Sequence, residues 1–203
     1  VTAQEVPGGA SAGTPSRTRL APEVRRAMIV ERATTLISER GFNAFTLLGL
    51  AEACGMTRRG LDHYFGSRDE ILIAVLRHRD SEDIALLGDT GAPRDREATW
   101  RALDDAVRRN ASQREIVRLY TVLGSESLDP AHPAHDYFQE RARSARKTFV
   151  ESIECWHPRP EAFATVVLAL LDGVQISWLR DPALDLFELW RDAGSLLDRD
   201  STP

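Results

Sequence analysis

The sequence predicts an all-α protein of about eight or nine helices, and three observations carry that reading. Apolar residues recur at three- and four-residue spacing through most of the chain. No period-two strand pattern of useful length occurs, and there is no Asn-Gly or Asp-Gly hairpin signal. Prolines gather between the periodic stretches, at Pro130, Pro133, Pro158, Pro160 and Pro182, where one helix ends or the next begins. No internal repeat is visible beyond the helical spacing.

The elements follow in order. Residues 1–16 are small, polar and rich in Pro and Gly. They hold too little apolar surface to offset the entropy of ordering, so a flexible tail is expected. Pro22 suits a first helical turn, where its missing N–H costs nothing. Ile29, Val30, Ala33, Leu36 and Ile37 form one apolar helix face, and Gly41 is placed to end that helix. Thr46 can cap a short second helix with Leu47, Leu50, Ala51 and Cys54 inside. Gly55 offers a position where positive φ is easy, and Met56 can plug the core. Thr57 can cap a third helix, with Leu61 and either Tyr64 or Phe65 facing inward. Ser67-x-x-Glu70 has capping-box form and opens a long helix to residue 87, which Gly88, Gly91 and Pro93 break. Further helices are expected near 94–112, 113–128, 133–154, 160–180 and 185–197.

At 203 residues the chain has room for one large domain or two small ones. The expected division is a tail over 1–16, a first domain over 17–66 and a larger one over 67–203. Cys54 and Cys155 lie about a hundred residues apart, which is neither a zinc pattern nor a disulfide framework. That points to a reducing, cytoplasmic compartment. No apolar run reaches the ~18 residues of a membrane span, and the start lacks a signal-peptide profile. Membrane, secreted, collagen-like and wholly disordered classes are therefore not expected.

The net charge of −5 hides an uneven distribution. Residues 17–80 carry eleven Arg and eight acidic residues, a net of +3, whereas residues 81–203 carry a net of −7. A basic first third suggests that this part meets an anion, although Arg-rich helices are also often just solvated.

Two short helices joined at Gly55 make a helix-turn-helix. Thr57, Arg58, Arg59 and Gly60 open the second of them, where recognition helices present side chains to base edges. Arg58 and Arg59 suit guanine O6/N7 or phosphate oxygens, and Gly60 permits close approach. His63 and Tyr64 can donate to phosphates, and Arg68 is positioned for one more. Arg17, Arg19, Arg25 and Arg26 form a basic lead-in toward the flanking groove or backbone.

ERGF at 39–42, the Thr46 cap, LAEACGMT at 50–57 and LDHYFGSRDEIL at 61–72 together resemble the DNA-binding domain of the TetR family of bacterial transcriptional regulators. The resemblance is ungapped over about fifty residues, and LLDGVQISWLRDP at 170–182 is similar to a penultimate helix of such proteins. It implies that Thr46 caps the second helix against phosphate. Thr57, Arg58, Arg59 and Gly60 would open the recognition helix, and Tyr64 and Arg68 would contact the DNA backbone. Asp62 departs from the family pattern, and near phosphate it is repulsive unless it accepts from cytosine or pairs with Arg59. Gly49 departs too, at ~1 kcal/mol relative to Ala inside a helix.

The resemblance further implies a C-terminal domain that dimerises and binds a small-molecule effector. Dimer-interface candidates are Phe163, Val167, Leu171, Val174, Trp178, Phe187 and Trp190, residues that also suit a monomer core. Effector-pocket candidates are Trp100, Leu103, Val107, Leu119, Tyr120, Leu123, Tyr137 and Phe138, again with core packing as the alternative. Arg118 suits an anionic ligand or a salt bridge. Asp129, His132, His135 and Asp136 have metal-like spacing, yet Pro130 and Pro133 make the stretch a helix-start turn in which Asp129 and His132 can cap. No metal and no cofactor are expected. No GxSxG, P-loop or HExxH motif occurs, so no enzyme is expected. The implied function is a sequence-specific repressor, a homodimer on double-stranded operator DNA, released by an effector. The alternatives are an effector-independent regulator, or an all-α ligand carrier or enzyme without DNA function.

Overall fold

The computed structural model describes residues 21–87 and 95–197. The 1–16 tail, Arg17, Arg19, Gly88, Gly91 and Pro93 lie outside the described residues. Among the described residues there are nine α-helices and no strand. They are α1 (Pro22–Arg40), α2 (Leu47–Ala53), α3 (Arg58–Asp62), α4 (Arg68–Leu87), α5 (Arg96–Ala111), α6 (Arg114–Glu126), α7 (His135–Ile153), α8 (Pro160–Arg180) and α9 (Leu186–Ser195).

Local chemistry sets the boundaries. Pro22 occupies the first turn of α1. Gly41 ends it at φ +78°, with its N–H bonded to the Ile37 carbonyl at 2.8 Å. A Cβ at Gly41 would lie 2.7 Å from Glu115 Oε2, the free end of a flexible side chain on α6. Asp95 caps α5 and Asp185 caps α9, each accepting from the amide three residues on. The α7 start falls at His135 rather than at residue 133, because 127–134 is a turn built on its own side chains. Asp129 Oδ1 accepts from Ala131 N at 2.9 Å, and His132 Nδ1 accepts from Ala134 N at 3.1 Å.

Two apolar cores hold the molecule. The first gathers Ile29, Ala33 and Ile37 of α1, Leu50, Leu61 and Phe65 of the α2–α3 region, Ile71, Leu72, Val75 and Leu76 of α4, and Ile116, Leu119 and Leu123 of α6. It thus draws on both sides of the expected boundary at residue 66. The second gathers Trp100, Val107, Val117, Val167, Val174, Trp178, Leu186 and Trp190. Trp190 is fully buried, and its indole N–H donates to Asp104 Oδ1 at 2.8 Å. α6 contributes to both cores and packs on α1, α5 and α8.

Helix α8 needs a correction to the sequence reading. It is 21 residues long, and an 18-residue window of it has a mean hydropathy of 1.7, long and apolar enough by length and composition alone to cross a membrane. Counting uninterrupted apolar residues misses this, because Thr165, Asp172 and Gln175 break the run without lowering its average far. Here α8 packs on α6, α7 and α9.

Candidate functional site

Both helices of the helix-turn-helix open with Thr-x-x-Gly. Thr46 Oγ1 accepts from Gly49 N, and Thr57 Oγ1 accepts from Gly60 N, both at 3.1 Å. A Cβ at position 49 would stand 3.1 Å from Thr46 Oγ1, and one at position 60 would stand 3.3 Å from Thr57 Oγ1. A side chain at either position would sit tightly against the capping hydroxyl without excluding the cap, since Ala98, Glu188 and Glu70 are capped in the same way. Between the helices Gly55 turns the chain at φ +63°, a left-handed value that favours glycine. Leu50, Ala51, Leu61 and Phe65 are buried and lock the pair against α1 and α4. Tyr64 is half-buried, so Phe65 takes the inner position the sequence left open.

On and next to α3 the side chains left outside are polar and mostly basic, whereas α2 exposes Leu48 and Glu52. Thr46, Thr57, Arg58, Arg59 and His63 are exposed, and Gly60 and Tyr64 partly so. His63 meets Tyr64 edge-on at 5.4 Å. Asp62 pairs with Arg58, Nε to Oδ1 at 2.8 Å, and not with Arg59 as the sequence suggested. The i,i+4 spacing puts those two on one helix face. Arg59 makes no ion pair among the described residues.

The remaining basic candidates divide. Arg19 lies outside the described residues. Arg25 is half-exposed and lines a hollow between α1 and Cys54, and burial raises the Cys54 thiol above its ordinary value. Arg26 turns inward. It donates to the Tyr64 carbonyl, bonds Glu70 Oε1 at 3.0 Å, and lies 3.9 Å from the centre of the Phe65 ring. Arg68 turns inward too, donating to the carbonyls of Phe42 at 2.5 Å and Phe45 at 3.3 Å. Those carbonyls belong to the α1–α2 connection and lie outside any helix, so the guanidinium supplies donors to the loop. Arg26 and Arg68 thus hold the frame that presents the outer residues. The predicted capping box is shifted by one residue: Ser67 Oγ accepts from Glu70 N at 3.1 Å, but Glu70 Oε2 accepts from Gly66 N at 2.8 Å. The Gly66 amide first, and then Arg26, hold the Glu70 carboxyl below the ordinary glutamate value.

A cavity of about 510 Å³ opens in the C-terminal half. Ile116, Val117, Phe138 and Ile176 give it an apolar wall, and Arg79, Arg109, Arg141, Asp172 and Gln175 a polar one. Of the eight sequence candidates only Tyr120 and Phe138 line it. Leu119 and Leu123 face the first core; Trp100 and Val107 lie in the second, with Leu103 packed against it. Tyr137 turns to Asp80 instead. The sequence reading sought apolar residues, and those mostly went to the cores. The polar lining was legible only as Asp172 and Gln175 interrupting the apolar run of α8. Arg118 pairs with Glu115 at 3.4 Å and does not line the cavity.

Beside the cavity Asp80 of α4 collects three donors. Tyr120 OH reaches Oδ1 at 2.7 Å, Tyr137 OH reaches Oδ2 at 2.6 Å, and Arg141 Nε reaches Oδ1 at 3.0 Å. Burial raises both phenols far above their ordinary range, so they stay protonated donors at neutral pH.

The dimer-interface candidates divide by burial, with Phe163, Leu171 and Phe187 only half-buried. Val167, Val174, Trp178 and Trp190 are buried within the chain's own second core, and Phe163, Leu171 and Phe187 pack against it. The exposed residues of α8 are instead Ala162, Thr165, Val166, Ala169, Gly173 and Ser177, with the charged Glu161, Asp172 and Arg180 among them and Val166 49% exposed. Helical period decides this: one stripe of α8 fills the core, and the stripe beside it stays open. Among the described residues no three His, Cys, Asp or Glu come together as metal ligands, and His135 Nδ1 lies 2.8 Å from the Ser127 carbonyl.

Residues 29–75 match the family described as bacterial regulatory proteins, tetR family. The HTH-type transcriptional regulator BetI of Burkholderia lata is 26% identical over 171 residues, 78% of this chain and 82% of that protein. A transcriptional regulator from a Rhodococcus species superposes with a TM-score of 0.65 at 19% identity, covering 91% of this chain and 100% of that one. FadR of Thermus thermophilus, a TetR-family repressor solved in complex with lauroyl-CoA, superposes with a TM-score of 0.57 at 19% identity, covering 85% and 94%.

Proposed function

The chain belongs to the TetR family of bacterial transcriptional regulators, which are DNA-binding proteins and not enzymes, and from that premise we propose an effector-released repressor. One observation carries the DNA reading. Two threonine-capped short helices, locked at Gly55, leave Thr57, Arg58, Arg59, His63 and Tyr64 outside on and next to α3. In this reading 17–66 is the DNA-binding unit and 67–203 the effector and dimerisation unit, in a cytoplasmic protein. Arg59, with its fork open, reads a base edge, while Thr46, Thr57, His63 and Tyr64 hold the backbone. Arg19 and Arg25 extend the contact, and Gly60 lets the chain approach closely. Arg68 acts through the loop it braces.

A second copy joins through the exposed face of α8, which places two recognition helices on a palindromic operator. An effector in the cavity then favours a conformation whose recognition helices no longer match the groove spacing. That requires different affinities for the two states. The cavity favours this reading over a regulator without effector. The lauroyl-CoA held by the Thermus protein supports it, as a ligand of that relative's fold.

The test is fluorescence anisotropy of the purified chain against its own upstream intergenic DNA, with scrambled DNA as control and salt varied. Binding that beats the control and weakens with salt is expected. Arg59→Ala should cost about 1–3 kcal/mol and relax specificity at one position. Arg59→Ala and Tyr64→Phe with unchanged affinity at fixed salt would remove this assignment.

A further inference from the structure

Resting on the effector reading above, we propose that the cavity binds an organic carboxylate with an apolar body, and that its head group competes with Asp80 for Arg141. The wall carries three guanidinium groups, Arg79, Arg109 and Arg141, against one carboxylate, Asp172. A body of apolar character fits the Ile116 and Phe138 wall, and Leu128, 76% exposed, extends it at the edge.

Arg141 is the contact that matters. Its Nε bonds Asp80 Oδ1 at 3.0 Å, and its guanidinium lies 4.5 Å from the centre of the Tyr120 ring. Its two terminal nitrogens donate to no acceptor among the described residues. A guanidinium offers five N–H donors, so the outer fork stays open for a second carboxylate, bidentate and charge-assisted. Arg141 lines the cavity and Asp80 does not. Arg141 therefore stands between whatever fills the cavity and α4, the helix that begins at Arg68 directly after the helix-turn-helix. Asp172 disfavours a head group on the α8 wall and leaves the Arg141 corner as its place.

The competition supplies the differential affinity that an effector requires. A carboxylate on the outer fork shares the one positive charge of Arg141 with Asp80 and is repelled by it, so the Nε bond weakens and Arg141 is drawn away from Asp80. The state in which Arg141 has left Asp80 then binds the anion better. Tyr120 and Tyr137 keep their bonds to Asp80, so α4 is loosened on one side only.

Calorimetry on the full chain tests this with three probes of one tail length: octanoate, octanol and octylamine. Octanoate should bind about tenfold tighter than octanol, the scale of a charge-assisted hydrogen bond, with octylamine weakest. Arg141→Gln should remove the octanoate advantage and leave octanol unchanged. Asp80→Asn should tighten octanoate severalfold, because the competitor loses its charge. Octanoate no tighter than octanol, or octylamine tightest, overturns the anion proposal while leaving the effector cavity standing. A folded wild type that binds none of the three overturns both. An advantage that survives Arg141→Gln, or Asp80→Asn that folds and leaves octanoate unchanged, overturns the competition. If Asp80→Asn does not fold, the wild-type series and Arg141→Lys, which keeps charge but loses the fork, still decide.

Discussion

Asp62 shows how one side chain alters a basic surface. It is exposed, close to residues proposed to meet phosphate, and it holds Arg58 at 2.8 Å. Asp62→Asn removes a repulsive carboxylate and frees Arg58 at once. Affinity for any duplex should rise, and the salt dependence should steepen by about one released counterion. Anisotropy titrations at several salt concentrations check this; weaker binding by the variant would count against the surface as drawn. Glu70 is a second single-residue case. Its carboxyl is held below the ordinary glutamate value by the Gly66 amide and Arg26. Its contribution to stability is therefore complete above that ordinary value and fades as pH falls through the lowered folded one. Glu70→Gln should lose stability at neutral pH and converge on the wild type in acid. Urea midpoints at several pH values read this out, and parallel curves would refute it. The effect is modest, since both partners of the Arg26 pair are about half exposed.

At the scale of elements, α4 and α6 link the two halves. α4 starts next to α3, contributes four buried residues to the first core, and carries Asp80 to the tyrosine pair. α6 lays Ile116 and Leu119 in the first core and Val117 in the second. Gly41 ends α1 beside α6, where φ is +78° and a Cβ would meet the Glu115 carboxylate. Gly41→Ala should cost about 1–3 kcal/mol through the backbone alone, because φ +78° with ψ +152° is a region essentially reserved for glycine. The Glu115 side chain, being flexible, should swing aside. Thermal unfolding monitored by circular dichroism should show a lower midpoint; an unchanged one would mean the turn relaxes freely.

For the whole molecule, the decisive surface is the open stripe of α8. Ala162, Val166, Ala169 and Gly173 are small or apolar and lie exposed along the most apolar helix of the chain. A second copy covering this stripe would remove from water what the monomer leaves open. Val166→Glu, 49% exposed in the monomer, should leave the fold intact and halve the mass measured by sedimentation. Operator affinity should fall with it, because one recognition helix loses its partner. A dimer that survives both Val166→Glu and Ala169→Glu would place the interface elsewhere.

The sequence by itself determined the all-α class, the order of helices, both threonine caps and the Gly55 turn. These depend on neighbours within four residues, and short-range spacing carries that information. It also determined which residues of the α3 region are polar enough to meet DNA. What it did not determine was direction. Arg26 and Arg68 read as basic surface, yet they bend back onto Tyr64, Phe42 and Phe45, which lie far along the chain. Trp178 and Trp190 read as interface and became core. The cavity drew its lining from five helices, so no single amphipathic pattern announced it. Periodicity tells which residues share a helix face; only the packed helices decide whether that face meets a core, a cavity or a second molecule.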